Sequence, residues 1–216
     1  MRLFSTNHLL FITLLAGLAN SACEAGGVGD PCVPEDEHRK NFSGYIETET
    51  NVESRSYQCE TRVCLVANFR GRVSCPYGQP ASGMTGDNGL PTVKAGLNDD
   101  DYCYLPGTKQ KPENRIIVPV EPQLVARSPD KAVYCSCRCN GPDTNVQYCD
   151  CPSGYACEKL IDAYGTASGT KLVGSYCIKD GTQVPDPTKI DQTECNTNTY
   201  GPRPTGCGVQ KHPEGI

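Results

Sequence analysis

Six cysteines crowd into residues 135–157: Cys135, Cys137, Cys139, Cys149, Cys151 and Cys157. Thiols at this density support two chemistries. As thiolates they would hold a soft metal such as zinc or copper(I). As half-cystines they would crosslink the chain. Spacing favours the second. No Cys-x-x-Cys occurs anywhere, so the zinc-ribbon, c-haem and thioredoxin spacings are all missing. Other chemistry has less to stand on. The acids Asp87, Asp99, Asp100 and Asp101 form a weak candidate calcium site, because clustered carboxylates offer hard oxygen ligands. They do not follow the EF-hand pattern, and a solvated acidic loop is the preferred reading. Two histidines lie outside the leader, His38 in a charged run and His212 in a Pro-rich tail. No Gly-x-Ser-x-Gly is present. Carboxylates are plentiful, yet nothing singles out an acid–base pair.

The fifteenth cysteine has a different setting. Residues 1–22 read as a signal peptide, with Arg2 as the positive end and an apolar run over residues 9–19. That run is too short to cross a bilayer as a helix, which needs about 20 residues. Small residues, Ser21 and Ala22, then precede Cys23. The site resembles a bacterial lipobox, although Asn20 stands where such sites usually carry Leu. Parity supports lipidation of Cys23 over simple retention. It leaves fourteen cysteines, an even set that can pair completely: Cys32, Cys59, Cys64, Cys75, Cys103, Cys135, Cys137, Cys139, Cys149, Cys151, Cys157, Cys177, Cys195 and Cys207. Glu24 after the cysteine resembles the signal for outer-membrane delivery.

Composition points the same way. Val, Leu, Ile and Phe make up under a fifth of the residues after the leader, and there is no Trp. A core that lean calls for covalent support, about 2–4 kcal/mol per disulfide. Gly 22 and Pro 17 indicate a loop-rich chain. The net charge of −5 argues against nucleic acid and against anionic lipid surfaces as partners.

The elements that must position these cysteines are short. Residues 45–53 alternate, with Ile46, Thr48, Thr50 and Val52 on one face and glutamates on the other, which predicts a half-buried strand. Residues 63–74 predict a hairpin turning at Arg70-Gly71. Residues 76–101 are glycine-rich and aperiodic, a long loop. Residues 115–120 predict an edge strand, because Pro119 and Pro122 forbid a central one. Residues 132–139 predict one strand with Cys135, Cys137 and Cys139 on a single face. Neighbours two apart cannot bridge each other, so this strand must reach three separate places. The order Cys59, Cys64, hairpin, Cys75 echoes Cys151, Cys157, hairpin, Cys177 and suggests two related modules.

The runs Gly29-Asp30-Pro31-Cys32-Val33-Pro34-Glu35-Asp36-Glu37, Cys59-Glu60-Thr61-Arg62-Val63-Cys64-Leu65-Val66 and Arg72-Val73-Ser74-Cys75-Pro76 resemble the cysteine-rich exported lipoproteins of myxobacteria and related Gram-negative bacteria. The resemblance covers the leader and roughly the first third. It implies an envelope address and assigns no activity.

The sequence therefore predicts a mainly β and irregular, disulfide-rich fold of short hairpins and long loops with very little helix. Its expected organisation is a signal peptide (1–22), a lipidated tether (23–37), a first hairpin module with the long loop (38–110), a second β module carrying the Cys-x-Cys-x-Cys strand (111–179) and a Pro/Thr/Asn-rich C-terminal segment (180–216). The expected role is structural or binding and non-catalytic, on the outer membrane or cell surface, facing periplasm or exterior. The expected partners are the membrane, through the lipid, and an envelope protein or glycan. A thiolate metal protein using residues 135–157 and a hydrolase with an unrecognised carboxylate site are the alternatives. No cofactor is expected beyond the weak calcium site.

Overall fold

The computed structural model describes residues 25–79, 102–161, 172–195 and 207. The fold is mainly small antiparallel sheets and irregular chain with one helical turn, α1 (Pro129–Ala132), and isolated 3-10 turns.

The first sheet has the order β1 (Thr50–Glu53), β2 (Val63–Ala67), β3 (Val133–Ser136), all antiparallel. The middle strand explains the arrangement. Its sequence, Val-Cys-Leu-Val-Ala, is apolar without alternation, which suits a strand covered on both faces. Cys64 and Val66 join Val133, Cys135, Phe69 and Val73 in one cluster. Leu65 and Ala67 join Val52 and Tyr134 in another, completed by Tyr176 and Ile178. Those last two belong to the second sheet, β4 (Arg138–Asn140), β6 (Gly174–Lys179), β5 (Tyr155–Ile161). The two sheets thus meet across the Leu65–Tyr134–Tyr176 cluster. β3 comes from beyond residue 111 yet pairs with β2, so the first sheet draws on chain from both sides of that expected boundary.

Several expectations need correction. Residues 132–139 are not one strand. The chain changes sheets at Cys137, whose carbonyl accepts the Cys177 N–H while the Ser136 hydroxyl donates to the Cys177 carbonyl. Ser136 still pairs with Val63 in the first sheet, while Arg138 pairs with Tyr176 in the second. Tyr134 and Ser136, which alternate with Cys135 and Cys137, are buried too, at 1% and 0% exposure. The hairpin over 63–74 does not form. After β2 the chain bends through Asn68 at φ 51°, and Gly71 pairs with Tyr45 instead. Gly71 has φ +83°, and a Cβ there would collide with the Glu121 carbonyl oxygen, so only glycine fits. Without that hairpin the expected echo of two modules fails, although β5 and β6 do form the second hairpin. Strand structure in residues 45–53 is confined to β1. Ile46, expected inside, is 48% exposed, and Tyr45 is buried in its stead. Residues 115–120 make only isolated bridges, Arg115 with Tyr104 and Val120 with Gln79, because Pro119 interrupts any ladder. The expected tether is not free either. Gly26 donates to the Gln58 carbonyl at 2.8 Å, and Gly29 donates to that of Cys135 at 2.8 Å.

Three tyrosines carry much of this interior. Tyr45, Tyr134 and Tyr176 are 7%, 1% and 1% exposed. The Tyr134 hydroxyl accepts the Lys179 N–H, and that of Tyr176 donates to the Leu172 carbonyl. Burial pushes all three phenols above their ordinary range. A raised acid keeps its proton longer folded than unfolded. Its stabilisation is therefore complete below the unfolded value, near 10, and is lost as pH climbs through the folded one. In an alkaline titration, tyrosinate absorbance from these three should appear late, in one cooperative step coincident with loss of the far-ultraviolet dichroism. Smooth ionisation of all eleven tyrosines with the dichroism intact would contradict their placement.

Candidate functional site

Every cysteine from Cys32 onward is bonded. The pairs are Cys32–Cys64, Cys59–Cys135, Cys75–Cys103, Cys137–Cys149, Cys139–Cys157, Cys151–Cys177 and Cys195–Cys207. Cys135, Cys137 and Cys139 do reach three separate partners: Cys59 beside the first sheet, Cys149 on the returning loop and Cys157 in β5. Cys157 and Cys177 stand opposite each other in the β5–β6 register, yet each bonds elsewhere. The sulfurs crowd, with Cys177 Sγ 3.5 Å from Cys137 Sγ and 3.8 Å from Cys149 Sγ. Among the described residues, groups of three sulfurs lie within 4.8 Å of one another, including Cys137, Cys149, Cys177 and Cys139, Cys151, Cys177. All of these sulfurs are spent in disulfides here, and a soft metal needs the thiolate. A thiolate site would require reduction first.

Since each cysteine makes one bond, the seven pairs leave Cys23 with no partner among the other fourteen. Cys23 itself lies outside the described residues, as do Asp87, Asp99, Asp100 and Asp101 and most of the 76–101 loop. The stem of that loop is described. Cys75–Cys103 closes it, and the buried Gln79 amide donates to the Ile116 and Val118 carbonyls at 3.0 Å each while its oxygen accepts the Cys103 N–H at 2.8 Å.

A cleft of about 380 Å³ opens between the 3-10 turn Val125–Arg127 and residues 183–191. Three contacts set its walls. Val125 N–H donates to the Thr193 carbonyl, Cys195 N–H donates to that of Gln123, and Arg127 reaches the Thr182 carbonyl at 2.8 Å. The C-terminal segment is thereby tied back to the body, and Cys195–Cys207 closes a further local loop. Ala126, Val184, Pro185 and Ile190 supply an apolar lining, with Asp186, Lys189 and Asp191 at the edge. The two acids are occupied locally. Asp186 accepts from the Thr188 hydroxyl and N–H, and Asp191 from those of Thr193. These bonds hold both carboxyls below the usual carboxylate range, so they stay ionised and make poor general acids. Local pattern marks only the edge of the cleft, where Asp186-Pro187-Thr188 and Asp191-Gln192-Thr193 repeat an Asx-turn signature.

Compared with known proteins, the chain matches no family model, no curated protein and no solved structure. Function must therefore come from the site itself. Two described carboxyls are pushed above the ordinary range, the fully buried Glu37 and the more accessible Glu53. Half-burial, with Glu35 and Asp36 nearby, raises its carboxyl above the ordinary range. Its oxygen, however, accepts the Glu35 N–H at 2.9 Å, capping a turn. No helix among the described residues is long and apolar enough to cross a membrane.

Proposed function

We propose that this chain is a lipid-anchored, disulfide-stabilised protein of the bacterial cell envelope, with a structural or binding role and no catalysis. The observation that carries the reading is the cysteine account. Fourteen pair with one another, and the one left over is Cys23, at the end of an export leader. Disulfides at this density belong to an oxidising compartment. A diacylglyceryl thioether at Cys23 would hold the protein stably, each buried methylene contributing about 0.8 kcal/mol. The contact surface for an envelope protein or glycan would be the loop carried on the Cys75–Cys103 stem, a long polar segment whose two ends are fixed.

The test expresses wild type and Cys23→Ser with the native leader in a Gram-negative host. Wild type should fractionate with membranes and show acyl mass on its N-terminal peptide. Cys23→Ser should be released in soluble form with seven disulfides intact. Membrane-free wild type, carrying a free Cys23 thiol or cleaved beyond it, would overturn the anchor.

A further inference from the structure

The short link between Cys23 and the folded body gives the anchored protein a fixed orientation. Gly26 is the first anchored point. Its N–H donates to the Gln58 carbonyl at 2.8 Å, its carbonyl accepts the Glu60 N–H at 2.9 Å, and it bridges Cys59 in parallel. Cys23 lies three residues earlier, so its Cα is at most about 11 Å away. That length barely exceeds the headgroup layer of one leaflet, about 5–8 Å. A lipid on Cys23 must therefore enter the bilayer beside residues 56–62, whose backbone grips Gly26.

This loop is built to present its side chains. Ser56 N–H donates to the Arg62 carbonyl at 3.0 Å and closes it. The Gln58 amide bonds both polar groups of the Val33 backbone, at 2.7 and 3.0 Å. Thr61 donates to the Ser136 carbonyl, and Cys59–Cys135 fixes the loop covalently to β3. On this rigid base Tyr57 is 82% exposed. The Arg62 guanidinium lies 4.1 Å over its ring, and Arg62 holds φ 65°, a conformation rare outside glycine. Arg55, two residues before Tyr57, is exposed as well.

We propose that the face carrying Arg55, Tyr57 and Arg62 lies on the lipid bilayer, with Tyr57 among the headgroups and the two guanidiniums on lipid phosphate. The inference rests on the anchor at Cys23. An amphipathic ring with a wet hydroxyl end suits the membrane interface, and guanidinium matches phosphate geometry. Glu60 is also exposed on this loop, so the face gains from close phosphate contact more than from a long-range field. The chain's net charge of −5 works against such a field, so the contact must come from these side chains locally.

The chain has no tryptophan, so Tyr57→Trp introduces a single reporter and keeps the stack on Arg62. The lipidated variant is reconstituted into phosphatidylethanolamine–phosphatidylglycerol vesicles with bromine-labelled acyl chains. Val146→Trp, on the exposed loop leaving β4, is the reference variant. Intact mass is read first. The expected result is acylated protein in which the indole of Tyr57→Trp is blue-shifted and loses most of its emission to bromine, while that of Val146→Trp keeps its own. Acylated protein in which the two variants emit alike overturns the lipid face and leaves the anchor standing. An indole in Tyr57→Trp that is shielded only when envelope proteins are added also overturns it, in favour of a protein contact. Absence of acyl mass removes anchor and face together.

Discussion

Replacing Cys59 and Cys135 together by alanine should lower the unfolding free energy by about 4 kcal/mol. The bond spans 76 residues of sequence, and the entropy of closing a loop that long corresponds to about 4–5 kcal/mol. Both sulfurs are buried, at 1% and 0% exposure, within the cluster on one face of β2. Alanine therefore also leaves a small void. The same change at Cys195 and Cys207, which are 12 residues apart, should cost about 3 kcal/mol at most. Urea unfolding followed by circular dichroism separates the two. The Cys59/Cys135 variant should also show a steeper denaturant dependence, since its unfolded chain is no longer tethered and exposes more surface. A loss under about 1 kcal/mol would show that the crosslink is dispensable and that the apolar clusters suffice. Extended to all seven bonds, at about 2–4 kcal/mol each, the sum matches or exceeds the roughly 5–15 kcal/mol that a typical domain holds. Full reduction should therefore unfold the chain.

What the sequence made legible follows from where its signals are local. The apolar run starting at Val63 marked a strand, though not its burial on both faces, and cysteine parity anticipated a closed set. The geometric argument that successive inward cysteines cannot bridge each other placed Cys135, Cys137 and Cys139 on three partners. The misses occur where tertiary contacts overrule local pattern. Arg70-Gly71-Arg72 reads as an exposed turn by polarity. In the structure Arg72 is fully buried, because its guanidinium donates to the carbonyls of Glu37, Arg39 and Phe42. Periodicity cannot register a charged residue whose partners lie that far along the chain. The glycines at 26, 27 and 29 suggested a loose tether. Gly29 serves close approach instead, with φ +99° and a Cβ position that would fall on the Tyr155 hydroxyl. The Arg55–Arg62 face was illegible for a related reason. Its meaning depends on Gly26 docking beside Gln58, and the sequence does not display that contact.

The second large effect lies at Glu37 and Arg72, both 0% exposed. Glu37 Oε1 accepts the Val73 N–H at 2.5 Å, and Oε2 accepts the Ser74 N–H at 2.9 Å and hydroxyl at 2.6 Å. Arg72 Nε lies 4.0 Å from Oε2 and makes no hydrogen bond of its own. Burial pushes the Glu37 carboxyl up, against the pull of Ser74, Arg72 and Val73. It also pushes the Arg72 guanidinium down, against the pull of Glu37 and Tyr45. Both shifts run toward the neutral form, so the mutual attraction does not repay the desolvation of the pair. An asymmetric outcome follows. Glu37→Ala strands a buried cation and two buried N–H donors and should cost about 3–5 kcal/mol. Arg72→Met should cost a similar amount by stranding the carboxylate. The double variant Glu37→Leu with Arg72→Met removes both charges at similar volume and should recover part of the loss. Recovery stays partial because the Val73 and Ser74 N–H groups remain without acceptors, at about 1–3 kcal/mol each. Urea unfolding of the three variants at neutral pH gives the coupling directly. If the single losses simply add in the double variant, the two groups act independently. If Glu37→Ala alone costs under about 1 kcal/mol, water reaches the carboxylate, and the loops bearing Glu37 and Arg72 are not held together by the contact described.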